Sequence, residues 1–424
     1  MNILTKVQIT GFWGNRRLST RFNNDINFFI GVNGTGKTTA INMIAAALNA
    51  DFATLDRLEF KKISIELKVF KGKGTTSIEI TKQPRKRFPF PEINYQITDN
   101  TTGESTKYSL DSLEEQLSFR QYALHPYKYR RGVNPDILEH MKRLVNVSWL
   151  SIHRAESLRT SKEATSFEST VDKKLDDLSG DFLRYFSKLQ GQGTNETAKF
   201  QQEAFLSLIR QQTVDVLLSS IRIMDLKEER KALVDIFHMF RLGEQTFSDD
   251  LDKHFIAVDK SLTVLRKKGP LKFVHAISLV SMLRAHLVVQ EWAKLTRAHE
   301  RIFEPRTTFI RTINDLLIDK YITVNERNEF VAVSKSKKIF TLKQLSSGEK
   351  QLLIILGESL LQEKAPWIYI ADEPELSLHV SWQSQLIDSL RKVNPNAQII
   401  FATHSPDIVS QHEKKTIAMN RIIK

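Results

Sequence analysis

The chain has no cysteine among its 424 residues. That excludes disulfides, thiolate metal sites and a cysteine nucleophile. No apolar run approaches the ~20 residues of a membrane span. Met1-Asn2-Ile3-Leu4 opens as a strand, where a signal peptide needs a basic start and then an apolar stretch. A cytoplasmic chain with no membrane partner is therefore expected. No helix-turn-helix, zinc finger or other base-reading motif is visible. What remains is ordinary for a globular chain, with 41% hydrophobic and 26% charged residues and room for two or three domains.

Charge of one sign is in excess, at a formal +13. The basic residues cluster at Arg85-Lys86-Arg87, Lys128 to Arg131, Arg266-Lys267-Lys268 and Lys335 to Lys338. Two readings stand side by side. One is contact with a polyanion, either nucleic acid or an acidic protein that mimics DNA. The other is a solvated basic surface. Tyr127 and Tyr129, interleaved with basic residues, have rings that can stack on bases.

Gly31-Val32-Asn33-Gly34-Thr35-Gly36-Lys37-Thr38 is a complete G-x-x-x-x-G-K-[ST] phosphate loop. It follows the apolar run Ile26 to Ile30 and precedes helix formers from Thr39 to Leu48. The glycines let backbone N–H groups close around phosphates, and the helix places its positive end beneath them. Gly31, Asn33, Gly34, Thr35, Gly36, Lys37, Thr38 and Thr39 are the candidate cradle for ATP. Lys37 is placed to reach the β and γ oxygens, and the Thr38 hydroxyl to ligate Mg²⁺.

Three further segments lie near the other end. Leu345-Ser346-Ser347-Gly348-Glu349-Lys350-Gln351 precedes an apolar helix, Leu352 to Leu361. Ile368-Tyr369-Ile370-Ala371 is an apolar strand ending in Asp372 and Glu373, and Gln398 to Thr403 is another ending in His404. Taken singly, Asp-Glu-Pro also fits a strand end and turn, Leu-Ser-Ser-Gly an N-cap, and His404 a turn residue beside proline. Their order and spacing resemble an ABC-type nucleotide-binding head, with signature, Walker B and histidine in sequence. The resemblance implies roles. Asp372 would hold Mg²⁺, Glu373 would act as base or orient the attacking water, and His404 would contact the γ-phosphate. Ser346, Ser347 and Gly348 would form the second anion-binding end on the ATP of a partner protomer, giving at least a homodimer.

The fold expected is α/β: a P-loop head with a mixed sheet, flanking helices and an antiparallel lobe, carrying an inserted helical domain. Residues 1–155 are assigned to the first lobe, 156–320 to the insert and 321–424 to the second lobe. Antiparallel strands are expected around Thr5–Thr10, Ile63–Phe70, Thr76–Thr81 and Ile93–Thr98. A strand from Val147 would deliver Arg154 as a phosphate or switch residue, or else as a plain salt-bridge partner. In the insert, Val171, Leu175, Leu178, Phe182, Phe186 and Leu189 make one apolar stripe. Gly191 to Asn195 then suggests the turn of a short helical hairpin, with a second helix over about 196–221. Further helices are expected over about 249–266, 272–300 and 304–319.

Asp372-Glu373-Pro374-Glu375-Leu376-Ser377-Leu378-His379 resembles the RecF/OLD-like ATPases, as do Gly11-Phe12-Trp13-Gly14 and Asp172-Lys173-Lys174-Leu175. Val380 departs from the proline common in that family, and no glutamine loop can be placed. The family includes ATPase subunits of anti-phage systems such as OLD nucleases, Septu and PARIS. The chain stops at Lys424, about twenty residues beyond His404. The expectation is that no nuclease is fused, which makes the PARIS ATPase subunit the nearest comparison. The resemblance implies an oligomeric ATPase that senses infection, through DNA or a DNA-mimic protein, and controls a separate nuclease or toxin. The alternative is a RecF-like DNA-repair ATPase. A transporter's ATP-binding subunit fits less well, because such subunits lack a helical insert of this size.

Overall fold

A computed structural model describes residues 1–84, 91–109, 135–150, 170–209, 224–267 and 269–424. Two compact units emerge: Met1–Leu183 with Arg306–Lys424, and Arg184–Pro305.

In the first unit, strands that alternate apolar and polar residues build an antiparallel sheet. They are β1 (Asn2–Phe12), β2 (Arg16–Arg21), β4 (Lys62–Val69), β5 (Thr75–Gln83), β6 (Glu92–Asp99) and β7 (Ser105–Ser109), in the order β2-β1-β4-β5-β6-β7. The sequence pattern does not announce β2 and β7. Both are largely polar edge strands, so alternation is weak in them.

The second sheet is parallel throughout. β3 (Ile26–Ile30), β8 (Val147–Leu150), β12 (Ile368–Asp372), β13 (Gln398–Ala402) and β14 (Thr416–Ala418) follow the order β14-β3-β13-β12-β8. Its central strands are mostly apolar and buried along nearly their whole length, because both faces are covered. Helix α1 (Lys37–Leu48), α2 (Phe52–Arg57) and α3 (Pro135–Leu144) pack on the core it shares with the antiparallel sheet. Gln398 ties the two sheets together from a fully buried position. Its amide accepts from Leu4 N at 2.8 Å and donates to Leu4 O and Asn23 O at 2.7 Å each.

The first third of α4 (Thr170–Ile209) also belongs to this unit, with Leu175, Leu178 and Phe182 buried on the expected stripe. Three ion pairs join it to the signature region: Asp172 with Lys350 at 2.7 Å, Lys174 with Glu358 at 2.5 Å and Asp176 with Lys343 at 2.7 Å. The hairpin of β9 (Lys320–Val324) and β10 (Phe330–Ser334), extended by β11 (Ile339–Phe340), leads to the signature helix α8 (Ser347–Leu361).

The second unit is helical. It holds the rest of α4, α5 (Leu226–Met239), α6 (Glu244–Arg266) and most of α7 (Phe273–Leu316). Phe200, Leu233, Ile236, Phe247, Leu251 and Leu295 form one core, and Val258, Leu262, Leu279, Met282 and Leu283 another. The turn expected at Gly191–Asn195 is corrected here: α4 runs through it unbroken. Packing overrides the weak local propensity. An added Cβ on Gly193 would sit 2.9 Å from Phe303, and the Gly193 carbonyl accepts from both Thr197 Oγ1 and His299 Nε2 at 3.0 Å. The helices expected over 272–300 and 304–319 are likewise one, α7, with Pro305 inside it. By length and composition α7 is also apolar enough to cross a bilayer, a property that the sequence reading did not assign to any segment. Arg154, the clusters at 85–87 and 128–131, Lys268 and residues 210–221 of the expected second helix lie outside the described residues.

Gly357 of α8 is set by a close approach. A Cβ there would lie 2.5 Å from Phe182 Cζ and 2.9 Å from Leu178 Cδ2. Phe182 cannot yield, since its ring centroid sits 4.7 Å from that of Phe330 and 5.7 Å from that of Phe309. The overpacking cost of about 1–3 kcal/mol exceeds the helix-propensity gain of about 1 kcal/mol. Gly357→Ala is thus expected to lower stability in chemical denaturation; an unchanged or higher midpoint would contradict this packing.

Candidate functional site

Three strand ends reach one level. Asp372 on β12 pairs with Ala402 on β13, which pairs with Phe29 on β3. The chain therefore leaves the sheet at residues 30, 373 and 403 side by side, at the carboxyl edge where open α/β sheets bind ligands.

The loop 31–38 leads from β3 into α1. Gly36 caps the helix at φ +89°, and an added Cβ would meet Trp13 Cζ2 at 2.9 Å. Gly31, Val32, Asn33 and Gly34 are exposed, and the Thr35 hydroxyl donates to Val32 O at 2.8 Å. Thr39 follows in the first helical turn, half-buried. Lys37 is only 5% exposed, and its ammonium donates to Gly31 O at 2.8 Å and Val32 O at 3.4 Å. Burial pulls the Lys37 pKa below its ordinary value, and the carboxylates of Glu373, Asp372 and Glu375 offset this only in part. A buried cation held on the loop's own carbonyls gains when a phosphate replaces them.

Thr38 Oγ1 donates to Asp372 Oδ1 at 3.1 Å, which closes the loop onto β12. A hydroxyl beside a carboxylate is the hard-oxygen donor set that suits Mg²⁺. Among the described residues no group of three or more His, Asp or Glu side chains is arranged to hold a metal ion by itself. The other ligands would be phosphate oxygens and water, as Mg²⁺ prefers.

Glu373 sits in the left-handed region at φ +48°, its N–H donating to Ala402 O at 2.8 Å. Such a conformation costs on the order of 1–3 kcal/mol and persists where the surroundings enforce it. His404 Nε2 lies 3.8 Å from Glu373 Oε1, with both side chains about a third exposed, at 36% and 32%. The structure thus brings Lys37, Thr38, Asp372, Glu373 and His404 to one edge.

Glu375 is a residue to which the sequence reading gave no role. It is 8% exposed, and its Oε1 accepts from Thr403 Oγ1 at 2.6 Å, His404 N at 2.8 Å and Ser405 N at 3.2 Å. Its Oε2 has no partner among the described residues. One buried carboxylate therefore locks the turn after Asp372 to the backbone that carries His404. The available signal was the proline at 374, which ends the strand and turns the next carboxylate inward. Trp13 was also missed as a site residue. It lies against Gly36, is 39% exposed, and carries the Arg16 guanidinium 5.7 Å from its ring centroid.

The signature residues stand apart from the loop. Ser346 caps α8 in a capping box with Glu349, and Ser346 and Ser347 are exposed. Burial opposes the Glu349 charge, but Lys320 at 2.9 Å and the bonds from Ser346 overcome it and leave its pKa below the usual carboxylate value. A Cβ on Gly348 would sit 2.4 Å from Ser377 O, and Gln351 donates to Pro374 O at 2.8 Å. Among the described residues no hydrogen bond joins Ser346, Ser347 or Gly348 to the loop 31–38 of the same chain.

Removing Glu375 takes the acceptor from Thr403 Oγ1 and His404 N and leaves Ser405 N only the Thr403 hydroxyl at 3.0 Å, each charge-assisted bond being worth roughly 1.5–3 kcal/mol. Glu375→Ala is expected to cut ATP turnover at least tenfold while nucleotide affinity changes little, and Glu375→Gln, which keeps an acceptor, to cut it less. Steady-state rates beside equilibrium binding would check this, and equal loss of both quantities would refute it.

Comparison with known proteins adds three findings. Over 96 residues the chain is 32% identical to the "Retron Ec83 probable ATPase" of Escherichia coli, covering 20% of this chain and 18% of that protein. Over 127 residues it is 30% identical to the "Retron Vc95 probable ATPase" of Vibrio cholerae serotype O1 biovar El Tor, covering 27% and 24%. The matched segments thus span about a fifth to a quarter of these relatives. The Smc head domain of Pyrococcus furiosus, solved with an extended coiled coil and bound to the C-terminal domain of ScpA, aligns at 15% identity and TM-score 0.40 over 97% of this chain and 92% of that one. The family model described as "AAA ATPase domain" matches residues 1–409. The chain belongs to the AAA ATPase domain family.

Proposed function

We propose that two copies of this chain clasp Mg²⁺-ATP between the loop 31–38 of one and the exposed Ser346–Ser347 helix start of the other. The observation that carries this is a division of parts. Lys37, Thr38, Asp372, Glu373 and His404 converge within one chain, while a second anion-binding helix end stands exposed, with no hydrogen bond to the loop 31–38 among the described residues. Phosphoryl transfer needs positioning and charge neutralisation rather than covalent work. Lys37 and the loop N–H groups bind the phosphates, and Thr38 and Asp372 hold the ion. Glu373, beside His404, orients or deprotonates the attacking water. Trp13, pinned on the phosphate loop with an open face, offers the base a stacking surface.

The biological reading is a cytoplasmic ATPase of an anti-phage system whose nucleotide state restrains or releases a separate nuclease or toxin. The matches to two retron ATPases support it, as does the D-E-P-E resemblance to the OLD, Septu and PARIS ATPases. The net charge of +13 favours a second reading, a RecF-like repair ATPase on DNA. Turnover stimulated by duplex ends or gaps would select the latter.

Substitutions separate the roles. Lys37→Ala is expected to abolish ATP binding, and Glu373→Gln to bind ATP and accumulate as a dimer in light scattering. Ser346→Arg is expected to bind ATP normally yet neither dimerise nor turn over. A monomeric Glu373→Gln protein with ATP bound would eliminate the clasp. Base stacking is worth roughly 1–3 kcal/mol, so Trp13→Ala is expected to weaken ATP binding about tenfold and tripolyphosphate binding hardly at all. Equal loss for both ligands would remove Trp13 from base recognition.

A further inference from the structure

A cavity of about 360 Å³ lies between the last turns of α7 and the β9–β10 hairpin, lined by Arg306, Thr307, Ile310, Arg311, Thr323, Val324, Asn325 and Asn328. It shares no residue with the phosphate loop, Walker B or the signature. Its walls are set by hydrogen bonds that a ligand need not create. Asn314 on α7 accepts from Ile322 N at 2.7 Å and donates to Ile322 O at 2.9 Å, which locks the helix to the strand. Asn325 accepts from Arg327 N at 2.9 Å and Glu329 N at 3.0 Å, which fixes the turn, and Asn328 holds φ +61° within it.

The lining chemistry has one sign. Two guanidiniums from the same helix enter it, with threonine hydroxyls and an asparagine amide as further donors, and no carboxylate belongs to the lining. Arg311 is exposed and makes no hydrogen bond or ion pair among the described residues. Arg306 is half-buried, and burial lowers its pKa from the ordinary arginine value, so its charge is less well solvated than a surface guanidinium. An anion at this place meets a cation that has already lost part of its water. Planar guanidinium forks match phosphate oxygens two at a time. The volume falls within the range of about 300–1,000 Å³ found for small-molecule sites and exceeds what a lone phosphate fills, while Ile310 and Val324 supply apolar surface for an organic group.

We propose that this cavity is a binding site for an organic phosphate of nucleoside-monophosphate size, separate from the ATP site. Arg306 and Arg311 take the phosphate, Thr307, Thr323 and Asn328 the polar edges, and Ile310 and Val324 the apolar face. The site adjoins the signature region through one strand. β9 begins at Lys320, whose ammonium meets Glu349 of the Ser346 capping box at 2.9 Å.

The test uses the full chain carrying Lys37→Ala, so that binding at the phosphate loop is silenced. It is titrated calorimetrically with 5′-GMP, 5′-CMP, inorganic phosphate and a short single-stranded DNA. Saturable one-to-one binding of at least one mononucleotide is expected, tighter than that of inorganic phosphate. Because one charge-assisted contact is worth roughly 1.5–3 kcal/mol, adding Arg311→Gln is expected to weaken it tenfold or more. Arg311→Lys, which keeps the charge but loses the fork, is expected to weaken it less. Arg311 is exposed, so these variants retain the fold, which circular dichroism verifies. The proposal is overturned if neither mononucleotide binds, if Arg311→Gln leaves binding unchanged, if phosphate alone binds as tightly, or if only the DNA binds.

Discussion

The parallel register of β3, β13 and β12 is the constraint on which the site depends. β13 lies between the strand that feeds the phosphate loop and the strand that ends in Asp372, although β3 and β13 are separated by most of the chain. Backbone pairing puts Phe29, Ala402 and Asp372 in one row, so three loops start from the same height. A slip of one residue in β13 would turn every side chain to the opposite face and move His404 away from Glu373. Gln398 guards against that slip. Its buried amide spends three hydrogen bonds on Leu4 and Asn23, and a shifted strand would leave them unmade in the core.

Beyond the sheet edge, side chains rather than ladders hold the geometry. Glu375 ties the turn after Asp372 to the peptide groups of His404 and Ser405, and Gln351 of the signature helix ties the same turn at Pro374 O. Glu373 and Ser377, both at positive φ, bracket this turn. The tight contact of Gly348 with Ser377 O places the start of α8 directly on it. Signature and Walker B are therefore one mechanical unit within the chain. The ion pairs from Asp172, Lys174 and Asp176 to Lys350, Glu358 and Lys343 attach the beginning of α4 to that unit. Each is partly exposed, and such pairs contribute little stability singly, so their effect is to set position.

Much of this was legible in the residues. The phosphate loop, the paired carboxylates and the strand ending at His404 each combine an apolar run with a chemically distinctive end, and both halves of that signal are local. The stripe Leu175, Leu178, Phe182, Phe186 and Leu189 is buried as its spacing implies, because helical period and burial are linked by geometry. The glycines at 191 and 193 misled, since a pair of poor helix formers marks a turn only where nothing packs on them, and Phe303 does pack on Gly193. The break expected between about 300 and 304 is absent too: α7 runs through it, with Pro305 inside at the loss of one backbone hydrogen bond.

The sequence alone determined which groups are available for phosphate chemistry: a glycine-rich turn after an apolar strand, a lysine and threonine opening a helix, carboxylates at a strand end. These follow from neighbours along the chain. Tertiary structure alone decided which of them meet. It set Thr38 on Asp372, buried Glu375 beneath His404, laid Trp13 on Gly36 and opened a cavity between Arg306 and Asn328. Those contacts join residues brought together by strand order and core packing, which depend on the burial of many side chains at once and leave no mark on any one stretch of sequence.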